Sequence, residues 1–192
     1  MQMGTSRMEA FSDGVLAVII TIMVLEMKVP QGADFAALYG VLPVFLIYVL
    51  SFINIGLYWN NHHHMLRAAE HIDGRSMWAN LHLLFWLSLV PFVTGWMGEN
   101  HFAAVPTSLY GFVLLMAAVS YTLLQTSLVK ANGPEAPLAK AIGSDFKGKI
   151  SLACYVLAVP LAFVHQAISD VLYVAVAVMW LVPDKRIEKV PA

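Results

Sequence analysis

The sequence has few of the residues that a soluble, disulfide-bonded or nucleic-acid-binding protein needs. Cys154 is the single cysteine among 192 residues, so an intrachain disulfide and a four-thiolate metal site are both excluded. Charged residues make up 12% of the chain, about half the share that is typical of a soluble domain. The formal net charge is −1, and we therefore expect no basic surface for nucleic acid.

Hydrophobic residues are abundant instead, at 59% of the chain, with a mean hydropathy of +0.72. A helix needs about 20 apolar residues to cross the hydrocarbon core of a bilayer. The sequence predicts six such helices, and we expect an all-α integral membrane protein with one domain over residues 1–192. The predicted spans are residues 8–27, 35–59, 77–97, 105–129, 146–164 and 167–182. Prolines at 43, 91 and 160 fall inside three of them and predict kinks.

The basic residues predict the orientation of these spans. If the N-terminus is cytoplasmic, every lysine and arginine except Lys28 falls in a cytoplasmic segment. Positive charge favours the cytoplasmic side, so both termini are expected there, in a multi-pass protein of the cell membrane. The connection over residues 130–149 contains Asn132-Gly133-Pro134 and is predicted to be a cytoplasmic loop.

The first span has two unusual features. Asp13 lies about 9 Å along the helix axis from Arg7, inside the cytoplasmic half of the bilayer. Such a carboxylate belongs either to a buried polar network or to a wet helix end. Along the same helix, Val18, Ile22 and Leu25 form an apolar stripe with Val15, and this stripe either packs against lipid and other helices or lines a pore.

Several motifs carry a family resemblance. The string Arg7-x-x-x-Phe11-Ser12-Asp13-Gly14 is followed by Thr21, by Tyr58-Trp59-Asn60-Asn61-His62-His63, by Trp78-x-Asn80 and by Ser88-x-x-Pro91-Phe92-x-Thr94. Together they resemble the prokaryotic branch of the potassium channel family called transmembrane protein 175. The resemblance covers the first half of the chain well, whereas the second half matches in helix number and spacing.

The resemblance implies a homotetramer in which the first helices line a central pore for K⁺ and other monovalent cations. By position, Val18 matches the main hydrophobic constriction, Ile22 and Leu25 match further apolar rings, and Thr21 matches a hydroxyl that coordinates potassium. The family usually has isoleucine or leucine at the constriction, so valine implies a wider ring. The Thr-Val-Gly-Tyr-Gly filter of ordinary potassium channels is absent, and we expect modest selectivity, with no metal and no cofactor.

Glu26 follows the first span at its predicted outer end. It either forms an acidic ring that concentrates cations or is a solvated helix-end acid, and Lys28 nearby would weaken such a ring. At the inner end we expect Trp59, Asn80 and one or both of His62 and His63 to meet the signature residues Arg7, Phe11, Ser12 and Asp13. A transition-metal site and exposed loop histidines are the alternatives.

Other functions remain possible from the sequence alone. A secondary ion or proton-coupled transporter would need charges facing inward in several spans, and Asp13 is the one firm candidate. A membrane enzyme would need clustered acids, bases or metal ligands, and the histidine group alone approaches this. A scaffold without transport activity is a further alternative. We expect a channel and not an enzyme.

Overall fold

A computed structural model of the chain describes residues 5–143 and 145–182. This part of the chain folds into eight helices: α1 Thr5–Leu25, α2 Phe35–Arg67, α3 Gly74–Ser88, α4 Val90–Glu99, α5 Ala104–Asn132, α6 Pro137–Ile142, α7 Phe146–Leu161 and α8 Gln166–Leu181. The all-helical prediction is therefore confirmed over these residues. The C-terminal basic residues that entered the orientation argument, Lys185, Arg186 and Lys189, lie outside the described residues.

Four helical stretches are long and apolar enough to cross a membrane, namely α1, α2, α3 together with α4, and α5. The helices α7 and α8 have 16 residues each. A helix of that length spans about 24 Å, which is less than the ~30 Å hydrocarbon core. The positions of all six predicted spans coincide with helices, but the number of crossings stays a prediction.

The end of α2 and the connection after α5 differ from the sequence-based expectation. Helix α2 continues beyond residue 59 to Arg67, so the aromatic and histidine motif lies inside a helix and not at its end. Burial of His62, Met65 and Leu66 against neighbouring helices explains the extension, because tertiary packing supplies most of the stability of a polar helical segment. The predicted loop over residues 130–149 contains the short helix α6, which Pro137 starts at a position that needs no backbone donor.

The three prolines act differently. Pro91 coincides with an interruption at Leu89, which ends α3 and precedes α4, and proline is well suited to the first turn of the second helix. Pro43 and Pro160 lie inside α2 and α7, which continue past them. Proline is tolerated within a membrane helix where neighbouring groups satisfy the freed carbonyl.

Helix α5 lies at the centre of the bundle, in contact with α3, α4, α7 and α8, whereas α1 packs on α2, α3 and α4. At one end, the Asn132 carboxamide accepts hydrogen bonds from the backbone N–H groups of Glu70 and His71, both at 2.8 Å. This contact joins the end of α5 to the connection between α2 and α3. The first helix thus sits at the edge of the bundle and covers it with one face.

Candidate pore helix and its anchoring network

Helix α1 presents one buried face to the bundle and leaves the rest of its surface exposed. The buried residues recur at intervals of three and four and are Met8, Ser12, Leu16, Ile19 and Met23. At about 100° of rotation per residue, these side chains centre about 120° away from Val18 around the helix axis. The chain itself therefore covers one side of α1 and sets the direction in which the other sides point.

The predicted constriction residues form an exposed stripe on α1. The exposed fractions of Val18, Ile22 and Leu25 are 55%, 39% and 79%. Their directions fall within about 40° of one line along the helix, because 18, 22 and 25 are spaced by four and three residues. Val18 and Ile22 also line an open groove, whose opposite wall includes Pro91 and Phe92 of α4. The single chain thus leaves this apolar stripe unpartnered among its described residues.

Thr21 lies about 60° to one side of Val18 and is exposed. Its hydroxyl donates back to the helix, with the Val18 carbonyl at 2.9 Å and the Ala17 carbonyl at 3.1 Å. Because the proton is used within the helix, the oxygen lone pairs remain available on the exposed side. This geometry makes the Thr21 oxygen a potential cation ligand.

Glu26 comes one residue after the end of α1 and is exposed, beside Gly95 of α4. Lys28 does not pair with it: its ammonium binds the Glu99 carboxylate at the end of α4, at 2.7 Å. The hydrogen bond to Glu99, together with the charge of that carboxylate, raises the pKa of Lys28 above its ordinary value. The expected weakening of the Glu26 charge by Lys28 is therefore reduced, because Glu99 already neutralises the lysine.

A fully buried chain of hydrogen bonds joins α1, α3 and α2 at their other end. The Asn80 amide donates to the Ser12 hydroxyl at 2.9 Å, and Ser12 in turn donates to the Met8 carbonyl at 2.8 Å. Since the amide nitrogen of Asn80 is used for Ser12, its oxygen accepts from His62 Nε2, at 2.8 Å. Ser12, Asn80 and His62 are exposed by 2% or less. The bonds fix the rotation of α1 about its axis.

A second, more exposed link lies beside this chain. Trp59 Nε1 donates to Asp13 Oδ1 at 3.0 Å, and the Trp59 ring stacks on His63 with a centroid distance of 6.2 Å. His63 Nδ1 contacts the Glu9 carboxylate. Glu9 and Asp13, four residues apart on α1, thus face His63 and Trp59, which are four residues apart on α2.

Glu9 was missing from the network predicted from the sequence. Its place could have been found from spacing, because Glu9 and Asp13 lie on one face of α1, as Trp59 and His63 do on α2.

The signature residues Arg7 and Phe11 are placed differently from the others. Both are exposed, and neither side chain bonds to the network within the described part of the chain. They line a shallow pocket with Met77 and Leu81 of α3. Over residues 5–143 and 145–182, no group of three His, Cys, Asp or Glu side chains is arranged to hold a metal ion.

Comparison with known proteins relates this arrangement to a family. The sequence profile described as "Endosomal/lysosomal potassium channel TMEM175" matches residues 7–91, which include nearly all of α1, all of α2 and the buried network. A protein named potassium channel from Chryseobacterium sp. (strain P1-3) is 51% identical over 187 residues, which are 97% of each chain. Another potassium channel, from Streptomyces collinus, is 32% identical over 178 residues, or 86% of this chain and 85% of that one.

The fold is also similar to a solved structure. The crystal structure of a lysosomal potassium-selective channel TMEM175 homolog from Chamaesiphon minutus superposes with a TM-score of 0.82 at 28% identity. The match covers 92% of this chain and 96% of that chain. It therefore includes the second half of the sequence, for which the motifs were uninformative.

Proposed function

Since this chain belongs to the TMEM175 family of potassium channels, we propose that four copies of it form a pore for K⁺ along their α1 helices. The family and the matched relatives are ion channels, not enzymes, and the membrane-enzyme alternative is thereby excluded. The helices of the chain are those of a membrane protein.

The observation that carries the proposal is the exposed stripe of Val18, Ile22 and Leu25, which lies outside the buried, rotationally fixed face of α1. Rotation of α1 about its axis would turn its buried face, which runs from Met8 to Met23, out of the bundle. The bonds of Ser12 to Asn80 and of Asp13 to Trp59 prevent such rotation. A fixed direction is needed where the stripe must meet three other copies around an axis.

Permeation in this proposal depends on the width of the apolar rings. An apolar ring offers an ion no ligands, so it excludes water and closes when narrow, and it passes a partly hydrated cation when it widens. Valine at position 18 gives a shorter side chain than isoleucine or leucine. The Thr21 oxygens would hold an ion beside the ring, and an apolar ring with few ligands gives modest discrimination between K⁺ and Na⁺.

The same proposal includes the orientation and the number of crossings. Six crossings require α3 and α4 to act as one span and the short helices α7 and α8 to cross with flanking residues or with local bilayer thinning. The Lys28 segment then lies outside, and the helix ends that carry Arg67 and Lys130 lie on the cytoplasmic side. Both termini are placed on the cytoplasmic side.

The experiment that tests the constriction compares Val18→Ala with Val24→Ala. Val24 is also an exposed valine of α1, 44% exposed, but points about 120° away from Val18. We expect Val18→Ala to widen the ring and to raise sodium permeability relative to potassium, and Val24→Ala to leave the ratio unchanged. The measurement is the reversal potential in reconstituted bilayers with K⁺ on one side and Na⁺ on the other.

Two outcomes would contradict the proposal. An unchanged reversal potential in Val18→Ala, or a shift in Val24→Ala alone, would remove Val18 from the constriction. A slow saturable flux without single-channel current steps would favour the transporter alternative. Assembly is checked separately by the mass of the detergent-solubilised protein, which should be four times the 21.1 kDa of one chain.

A further inference from the structure

A cleft separate from α1 opens between α2, α5, α7 and α8. The space inside it that the centre of a water-sized sphere can reach is about 50 Å³, which admits a small group of atoms and not a drug-sized molecule. Its walls include the aromatic rings of Tyr58, Tyr121, Tyr155 and Trp180. No residue of α1 lines it, so the proposed pore does not account for this space.

Several oxygen atoms of the cleft can accept a further hydrogen bond. Asn61 uses its amide nitrogen to donate to the Leu57 carbonyl at 2.7 Å, which leaves its amide oxygen without a donor in the described part of the chain. The hydroxyls of Tyr58 and Tyr155 have no hydrogen-bond partner among the described residues either, although Tyr155 is 3% exposed. A ligand with several N–H groups would satisfy these oxygens.

The charged side chain in the described lining is an acid. Asp145, which precedes α7 in a left-handed conformation with φ of 42°, contributes a carboxylate to the lining. One of its oxygens accepts from the backbone N–H of Gly148 at 3.2 Å, and the other has no donor among the described residues. Lysine and arginine are absent from the described lining. The Lys147 ammonium lies beside it, 5.7 Å from the centroid of the Trp180 ring, and is held by the Val182 carbonyl at 2.7 Å.

We propose that this cleft binds a small organic ammonium ion, with the ammonium group at Asp145 and the Asn61 and tyrosine oxygens, and the apolar body between the aromatic rings. The carboxylate and the unused acceptors favour a cation with N–H donors over an anion, for which the described lining offers no positive charge. The faces of the tyrosine rings add attraction for a cation, whereas Trp180 already has the Lys147 ammonium 5.7 Å from its ring centroid. This site is independent of the pore, because its residues belong to other helices.

Benzylammonium is a suitable probe because it combines three N–H donors with one apolar ring. We expect it to bind the detergent-solubilised protein in roughly the millimolar range, as its size allows. Benzyl alcohol and benzoate, which have the same ring with a neutral and an anionic group, should bind much more weakly. The measurement is saturation-transfer NMR with the signal of empty micelles subtracted.

Two matched variants assign the binding to the cleft. Asp145→Asn keeps the helix-capping oxygen and tolerates the left-handed conformation, so the fold is retained, and we expect it to weaken benzylammonium binding roughly tenfold. Asp34→Asn makes the same change at the cap of α2, outside the cleft, and should have no effect. Tyr155→Phe, which removes one hydroxyl and keeps the ring, should weaken binding less than Asp145→Asn.

The proposal is overturned if benzylammonium does not bind, if benzoate binds equally well, or if Asp145→Asn binds benzylammonium as tightly as the unmodified chain. The last result would place any bound cation elsewhere, for example at Glu26. None of these outcomes bears on the reversal potential of Val18→Ala, so the two proposals fail or succeed separately.

Discussion

The buried chain of Ser12, Asn80 and His62 makes Asn80 the most informative residue to replace. Asn80→Leu keeps a similar volume and removes two hydrogen bonds, of 2.9 and 2.8 Å. Ser12 still donates to the Met8 carbonyl, so the stability lost at Ser12 is small. His62 loses more, because Nε2 is then buried without an acceptor and Nδ1 already has no partner among the described residues.

The difference between Ser12, which keeps a partner, and His62, which loses one, sets the expected loss of stability. A buried donor without a partner costs about 1–3 kcal/mol, whereas side-chain hydrogen bonds within membranes average about 0.6 kcal/mol. We therefore expect Asn80→Leu to destabilise the protein by about 2 kcal/mol, most of it at His62. For a chain of this length the melting temperature should fall by roughly 4–8 °C.

A double-mutant cycle in detergent separates this cause from general disruption. His62→Phe retains a ring of similar size, and the combination of His62→Phe with Asn80→Leu leaves no orphaned nitrogen of His62. The double variant should therefore lose less stability than the sum of the two single variants. Asn60→Leu, at an exposed amide of the same α2 helix, is the control and should change little. Additive losses, or an equal loss in Asn60→Leu, would refute the reasoning.

Two further predictions concern other contacts. Gly111→Val should lower the melting temperature strongly, since a Cβ at Gly111 would overlap the Tyr173 ring, and thermal unfolding in detergent checks this; an unchanged melting temperature would show that the contact between α5 and α8 is loose. Glu99→Gln should release Lys28, return its pKa towards the ordinary value and reduce conductance at low salt by repelling cations near Glu26. Single-channel conductance should recover at high salt, where such charges are screened; a reduction that persists there would indicate another cause.

The Lys28 contact also has a defined dependence on pH. Because Glu99 raises the pKa of Lys28 in the folded protein, the contact is fully present below the ordinary lysine pKa and is lost as pH rises through the higher folded value. Both partners are exposed, so the contribution to stability is small. Its effect should appear in conductance and not in the melting temperature.

The positions of the helices could be predicted from the sequence because long apolar runs favour the helix, which satisfies its own backbone hydrogen bonds without water. Helix α1 begins and ends within a few residues of the prediction. The extension of α2 through Asn60 to Arg67 could not, since a run of asparagines and histidines is typical of a loop when taken alone. Its helical state depends on the burial of side chains such as His62 by other helices.

The residues of the candidate site were named from the sequence, but their pairing was not. The rotation of α3 relative to α1 decides that Asn80 meets Ser12, and no pattern within either helix contains that information. The spacing of four residues from Asp13 could have placed Glu9 on the same face, but its contact with His63, 54 positions away in the chain, could not be predicted. The same reason hid the acceptor-lined cleft, whose walls come from four helices.

The contacts that hold α1 differ along its length, and this difference bears on how the proposed pore would open. Near its start, α1 is held by directional bonds from Ser12, Asp13 and Glu9. Beyond Asp13 its buried contacts are those of apolar side chains such as Ile19 and Met23, which tolerate small displacements better than hydrogen bonds do. The stripe from Val18 to Leu25 lies in this second half. A small tilt of α1 about its anchored start would therefore change the ring diameter most at Leu25 and less at Val18, without breaking the buried chain.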